Sequence, residues 1–421
     1  MNSDFLQKPI GLPRLLFLII VVAFILRLLY WWIFVGPTQS ISGDAVFYYQ
    51  ASHSIAKTFS YAIYGQPTAE KTPGYPLFAG VILKLVKKDS YLIIIQYLFG
   101  VLASIPIFLI SKTYLNERRA LIVTLAYLLY PTTWHWESQF MSESLFIWIN
   151  NLFLFFIHKY LINKRINELC FAAVFAALCL LTRPAAIFTL GIIYGYIILS
   201  QRPKLAMKTA VVSILILFII FCPWVTRNYL VFGHFIPGST SAGITIYTSY
   251  VNWGYDMSIN NPMPEDREKL AELESAYDKD KYLVKRTIEY LRQNPLKMLT
   301  LVPQKLRDYL HPFDGRWHPL KYGSKYNIFY GLLLSLAALA YLRHRKQKLI
   351  LVKLSTLFII GGIISVIIFH GEIRYRYVLN PVLFLLAGLC FVNTLNPKEI
   401  KTINAIVTSN LILWVVGMAI P

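Results

Sequence analysis

The chain has 421 residues, 56% hydrophobic and only 15% charged, with a mean hydropathy of +0.52, a balance that excludes a soluble or disordered chain and fits one polytopic membrane bundle. The formal charge of +20 points first to nucleic acid, but the Lys and Arg residues sit between apolar runs. They group as Lys112, Arg118 and Arg119; Lys159, Lys164 and Arg165; Arg202, Lys204 and Lys208; Arg343, Arg345, Lys346 and Lys348; and Lys398 and Lys401, the positive-inside pattern whose counterions are anionic lipids, so no nucleic-acid partner is expected.

Apolar runs bounded by charge predict about eleven transmembrane helices, at 12–35, 91–111, 120–136, 144–160, 169–182, 185–199, 209–225, 328–342, 349–369, 377–395 and 403–420. With the N-terminus inside, every basic group above falls on the inner face, and two long loops, 36–90 and 227–325, fall outside. The expected architecture is an all-α polytopic membrane protein in three parts: a transmembrane module over 1–226, the outer loop 227–325, and C-terminal helices over 326–421.

The first run is too long for a signal-peptide core and no small-residue cleavage site follows it, so it is expected to stay as a helix. Arg27 lies within it, about eight residues or roughly 12 Å below Val35, and is expected to pair with an acid on a neighbouring helix.

Loop 36–90 holds the first candidate chemistry. Asp44, in S-G-D-A-V-F-Y-Y, opens an amphipathic segment expected to lie along the membrane surface; it is either a reactive carboxylate or, like Ser42, a helix cap. In E-K-T-P-G-Y-P-L-F, from Glu70 to Phe78, two prolines and a glycine fix a turn before a helix. That turn presents Lys71 either beside substrate or as an interfacial anchor. A fixed ammonium near a carboxylate suits a phosphate-bearing substrate and a hydroxyl that must lose its proton.

Further along, Glu143 in W-E-S-Q-F-M-S-E-S either orients substrate, holds a cation such as Lys71, or faces a helix dipole. The runs 169–182 and 185–199 are short for a bilayer, and as a hairpin they hold Arg183 of L-T-R-P below the outer surface. There it faces a polar cavity or snorkels beside Pro184. Arg227 and Asn228 end a helix, where the pair either binds phosphate or, as the favoured expectation, ties the large loop down. In that loop, 264–293 is expected to form one or two surface helices ending at Asn294-Pro295, with Glu265, Asp266, Arg267, Glu268 and Lys269 as a solvated face. His311, Asp314 and His318 match no standard zinc spacing. Arg374 and Arg376 lie at the outer end of a helix after Gly371-Glu372, as phosphate-binding forks or headgroup anchors. The cysteines, Cys170, Cys179, Cys222 and Cys390, lie in apolar runs without C-x-x-C spacing and give no redox or metal signal. The tryptophans, among them Trp31, Trp134, Trp253 and Trp317, fit interfacial belts; Tyr48, Tyr75 and Trp253 either join them, stack on a sugar or shape a lipid tunnel.

S-G-D-A-V-F-Y-Y, K-T-P-G-Y-P-L-F, P-W-V-T-R-N-Y-L-V-F-G at 223–233 and R-Y-R-Y-V-L-N-P at 374–381 together make the chain resemble the GT-C glycosyltransferases, in particular the bacterial protein-mannosyltransferase-like branch that includes the aminoarabinose transferases. The resemblance implies transfer of a sugar, with inversion, from a polyprenyl-phosphate donor to a lipid, glycan or protein acceptor at the outer face of a plasma membrane. It implies Asp44 as the catalytic base, with Lys71, Tyr75, Glu143, Arg183, Arg374 and Arg376 around the substrates, and no metal or other cofactor. The competing expectations are a transporter or flippase of lipid-linked sugars, which would more typically show broken helices in matching halves, and an O-antigen polymerase or ligase.

Overall fold

In the computed structural model the described residues are 12–36, 41–251, 262–310, 312, 327–371, 373–392 and 397–419. They form a helical bundle whose sole sheet, among these residues, is the two-stranded antiparallel ribbon Ala62–Ile63 with Gln66–Pro67. Among the described residues five helices are long and apolar enough to cross a membrane: Pro13–Val35, Asp89–Ser111, Ser142–Asn163, Pro203–Phe232 and Ile350–Ile368. The shorter apolar helices Gly74–Val86, Ile166–Thr182, Ala186–Leu199 and Ile328–His344 pack among them.

Where the expected spans fail as single helices, local chemistry explains the break. The run 120–136 divides into Glu117–Leu128 and Pro131–Glu137, because Pro131 lacks the N–H that would continue the first helix and suits the start of the second. The run 377–395 begins as a 3₁₀ segment, Ile373–Leu379, and then becomes the fully buried helix Asn380–Leu389. The run 209–225 is the middle of a 30-residue helix, Pro203–Phe232, about 45 Å long at 1.5 Å per residue and so longer than a hydrocarbon core is thick.

Arg27 and Glu137 form the bundle's buried ion pair, 2.7 Å apart and 1% and 3% exposed. Arg27 also donates to the carbonyls of Ala23 and Leu128, as a guanidinium in an apolar interior requires. Gly100 leaves the space that Glu137 occupies.

The large loop folds into helices Ala242–Tyr250, Pro264–Glu272, Ala276–Gln293 and Pro295–Leu310. The third ends at Asn294, as expected. Asp266 is not on a solvated face: it is 1% exposed and accepts from the Tyr247 and Tyr282 hydroxyls and from Arg286, knitting three of the loop helices together. The Pro295–Leu310 helix was not expected; it inserts Leu301, Lys305 and Tyr309 into the bundle, where Lys305 donates to the Ile367 carbonyl and lies over the Tyr250 ring.

Candidate active site

Asp44 is the first residue of the Asp44–Thr58 helix, with Gly43 at the cap position and no side-chain cap bond, so neither Ser42 nor Asp44 caps it. The Asp44 carboxylate instead turns to two cations. Oδ1 lies 3.1 Å from Lys71 Nζ and Oδ2 lies 2.9 Å from Arg374 Nη2. Burial alone would raise its pKa, but Lys71 and Arg374 outweigh that and hold it well below the usual carboxylate range. Burial acts on Lys71 in the opposite direction, and Asp44 overcomes it to keep the ammonium charged.

The turn that carries Lys71 is fixed from three sides. The Tyr61 hydroxyl donates to the Lys71 carbonyl at 2.8 Å, Thr72 Oγ1 donates to the Thr182 carbonyl at 3.3 Å, and Arg227 donates to the carbonyls of Thr68 and Tyr61. Arg227 thus ties down the loop after the first helix rather than the large loop, which Asn228 holds by donating to the Ile236 carbonyl. Gly74 is required by contact: a Cβ there would lie 2.6 Å from Thr182 Oγ1 and 2.7 Å from the Leu181 carbonyl oxygen. The K-T-P-G-Y-P turn therefore abuts the end of the Ile166–Thr182 helix, and that abutment brings Lys71 and Arg183 to one place.

Arg183 follows that helix and forms a second ion pair, Nη1 to Glu143 Oε1 at 2.6 Å. Glu143 is in the first turn of the Ser142–Asn163 helix and 3% exposed. It pairs with Arg183 rather than Lys71. Ser142 Oγ accepts from the Tyr48 hydroxyl and from Arg183, each at 3.3 Å, so Ser142 joins Tyr48 to the second ion pair. Tyr375 lies between the arginines, its ring centroid 5.4 Å from the Arg183 guanidinium and 5.1 Å from that of Arg374, and its hydroxyl accepts from Arg374.

Asp44, Lys71, Glu143, Arg183 and Arg374 line one cavity of about 210 Å³. Tyr48, Ser142 and Tyr375 line it too; of these, sequence reasoning named Tyr48 as a possible sugar platform and missed the other two, which carry no motif of their own. The large loop contributes Ser239, Ser241, Ala242, Thr245 and Tyr309 to the walls.

Two expected site residues lie elsewhere. Tyr75 is fully buried beneath the cavity, with its hydroxyl donating to Gln96 Oε1 at 2.6 Å and its ring edge-on to Tyr48; it supports Tyr48 and does not line the cavity. Arg376 is 2% exposed, with its guanidinium 4.0 Å from the Tyr330 ring centroid. In the 3₁₀ segment, residues two apart point away from one another, so Arg374 reaches the cavity and Arg376 the core. Among the described residues no group of three or more His, Cys, Asp or Glu side chains is placed to hold a metal ion; His311, Asp314, His318, Trp253, Trp317 and Glu372 lie outside those residues.

Residues 70–226, which carry Lys71, Glu143 and Arg183, match the family model described as dolichyl-phosphate-mannose-protein mannosyltransferase. A search of curated proteins finds no match. Among solved structures, the chain resembles the oligosaccharyltransferase AglB of Archaeoglobus fulgidus in complex with an inhibitory peptide and a dolichol-phosphate, with TM-score 0.54, 14% identity, and coverage of 96% of this chain and 55% of that one. It resembles ArnT of Cupriavidus metallidurans bound to undecaprenyl phosphate with TM-score 0.54 and 13% identity, covering 92% of this chain and 63% of that one. The chain thus spans little more than half to under two thirds of the length of these structures. Its helices take the fold shared by these two structures, and the mannosyltransferase family model matches the segment that carries the cavity's Lys71, Glu143 and Arg183.

Proposed function

We propose that the protein is a membrane glycosyltransferase that moves a sugar, with inversion, from a polyprenyl-phosphate donor to a lipid, glycan or protein acceptor. The observation that carries this reading is the Asp44 carboxylate held between Lys71 and Arg374 in a cavity of the GT-C fold. The basic stretches between helices support an orientation with that cavity on the outer face of a plasma membrane and the N-terminus inside.

In this reading the acceptor hydroxyl oxygen attacks the anomeric carbon from the side opposite the carrier phosphate. The new C–O bond forms as the bond to the phosphate oxygen breaks, and the phosphate leaves with the electron pair. Asp44 takes the hydroxyl proton. Lys71 and Arg374 stabilise the charge developing on the leaving phosphate. In the resting site both cations are engaged by Asp44, one on each carboxylate oxygen. A bound phosphate competes for them, and as they shift toward it the carboxylate loses the contacts that hold its pKa down and becomes a better base. Arg183, neutralised by Glu143, is held ready beside the same cavity to take up further phosphate or sugar oxygens.

The test is transfer of radiolabelled sugar from a panel of polyprenyl-phosphate sugars to membrane lipids, glycans and peptides by purified protein in liposomes, with Asp44→Asn beside it. Transfer by the wild type, lost in a variant that still unfolds cooperatively on heating, is the expected result. No transfer from any donor, together with movement of lipid-linked sugar across the liposome, would replace this reading with that of a transporter.

A further inference from the structure

A second cavity, of about 520 Å³, lies away from the candidate active site. The helices Glu117–Leu128 and Ile328–His344 stand on either side of it and Asn380–Leu389 forms its floor, with side chains that include Ile122, Leu336 and Phe384. The floor is cut low by small residues: Ala126, Ala387 and Gly388 line it, and at Gly388 the floor helix comes so close to Val123 that a Cβ would lie 2.7 Å from Cγ2. The result is a slot between helices, shaped for a hydrocarbon chain rather than for a second helix, which is about 10 Å across. From Arg119 to Tyr130 its wall rises about 16 Å, the depth of one leaflet of a core roughly 30 Å thick.

The chemistry of one end is cationic. Arg119 lines the slot, and its Nη1 donates to the Val392 carbonyl at 2.8 Å. Its Nε and Nη2 make no hydrogen bond with a described residue. Arg118 beside it is exposed. Nearby acids do not cancel these two: Glu117 pairs with Lys112 and Glu399 with Arg343. A guanidinium fixed by a backbone carbonyl at the mouth of an apolar slot has donors aimed at an anionic oxygen.

We propose that this slot is a binding site for an anionic diacyl phospholipid of the leaflet opposite the candidate active site, with an acyl chain between the helices and the phosphate on Arg119. The lipid fills the wedge between the two helices above the floor helix. It is separate from the donor site, whose cavity shares no lining residue with it.

The test is native mass spectrometry of the full-length protein, delipidated and then titrated with phosphatidylglycerol or phosphatidylcholine of the same chains. Two variants accompany it: Arg119→Gln, which removes the charge, and Ile122→Trp, which fills the slot from a position 64% exposed. The expected result is one retained phosphatidylglycerol per chain, preferred over phosphatidylcholine by about tenfold or more. Arg119→Gln abolishes the preference, and Ile122→Trp abolishes retention of both lipids without lowering the melting temperature. Equal retention of the two lipids by the wild type, or undiminished retention by Ile122→Trp, overturns the proposal. So does a dimer that Ile122→Trp dissociates, which would make the slot an interface between copies.

Discussion

At the residue scale, the reactivity assigned to Asp44 comes from what touches it. Asp44→Asn preserves size and leaves Lys71 and Arg374 in place, so transfer should fall by about 10²- to 10⁴-fold, the usual weight of a general base, with a modest loss of thermal stability because the two cations lose their counter-charge. Lys71→Met tests the electrostatics through pH. Burial pushes the Asp44 pKa up while Lys71 and Arg374 hold it down, so removing one cation lets it rise. The acidic limb of the pH–rate profile should therefore move to higher pH in Lys71→Met, beyond any fall in maximal rate; an unmoved limb would mean that Asp44 is not the group that titrates. The sign for stability is the same. A carboxylate whose folded pKa lies below its unfolded value of about 3.9 contributes stability above that pH and loses it as pH falls toward the folded value. Asp44 and Lys71 were both legible in the sequence because the surrounding Gly and Pro residues marked rigid turns. Ser142 and Tyr375 were not, because a lone serine or tyrosine carries no pattern until its neighbours are known.

At the element scale, the site depends on helix ends brought together by close contacts. Gly74→Ala should push the Lys71 turn off the Ile166–Thr182 helix, because the added methyl meets a backbone carbonyl that has nowhere to go. A cost of about 1–3 kcal/mol is expected, with transfer reduced more than stability; thermal unfolding and transfer assays on the same preparation separate the two. The Arg27–Glu137 pair makes a different prediction. Glu137→Ala strands a buried guanidinium and should destabilise by about 3–5 kcal/mol, whereas replacing both partners with Met should restore most of that, as measured by thermal unfolding in detergent. That pairing was expected from the sequence because a cation within a span must find an acid; Glu137 as the partner was not, since it comes from a short helix that hydropathy had merged into a longer run.

At the scale of the whole molecule, the cavity is closed by three separate parts of the chain, the large loop with Ser239 to Thr245 among them. The segment before Phe232 supplies Asp44, Lys71, Glu143 and Arg183, and the C-terminal helices supply Arg374 and Tyr375. With Lys112 and Arg343 set at the end of the bundle away from the site, single cysteines on a cysteine-free background at Ser239 and Lys112 should label with opposite accessibility to an impermeant maleimide in intact cells, Ser239 from outside. Labelling of both from the same side would invert or abolish the proposed topology.

The sequence by itself determined that the chain is a helical membrane bundle, because apolar runs and basic breaks report directly on transfer into lipid. It also determined that an acid and a base lie in the loop after the first helix. Only the tertiary structure decided which charges meet. Asp44 and Arg374 are separated by most of the chain, and a hydropathy pattern carries no information about which helix ends share a cavity. For the same reason Tyr75 and Arg376, equal to their neighbours in residue type, proved to face the core: a single rotation about a helix or 3₁₀ axis separates a side chain that meets substrate from one that supports it.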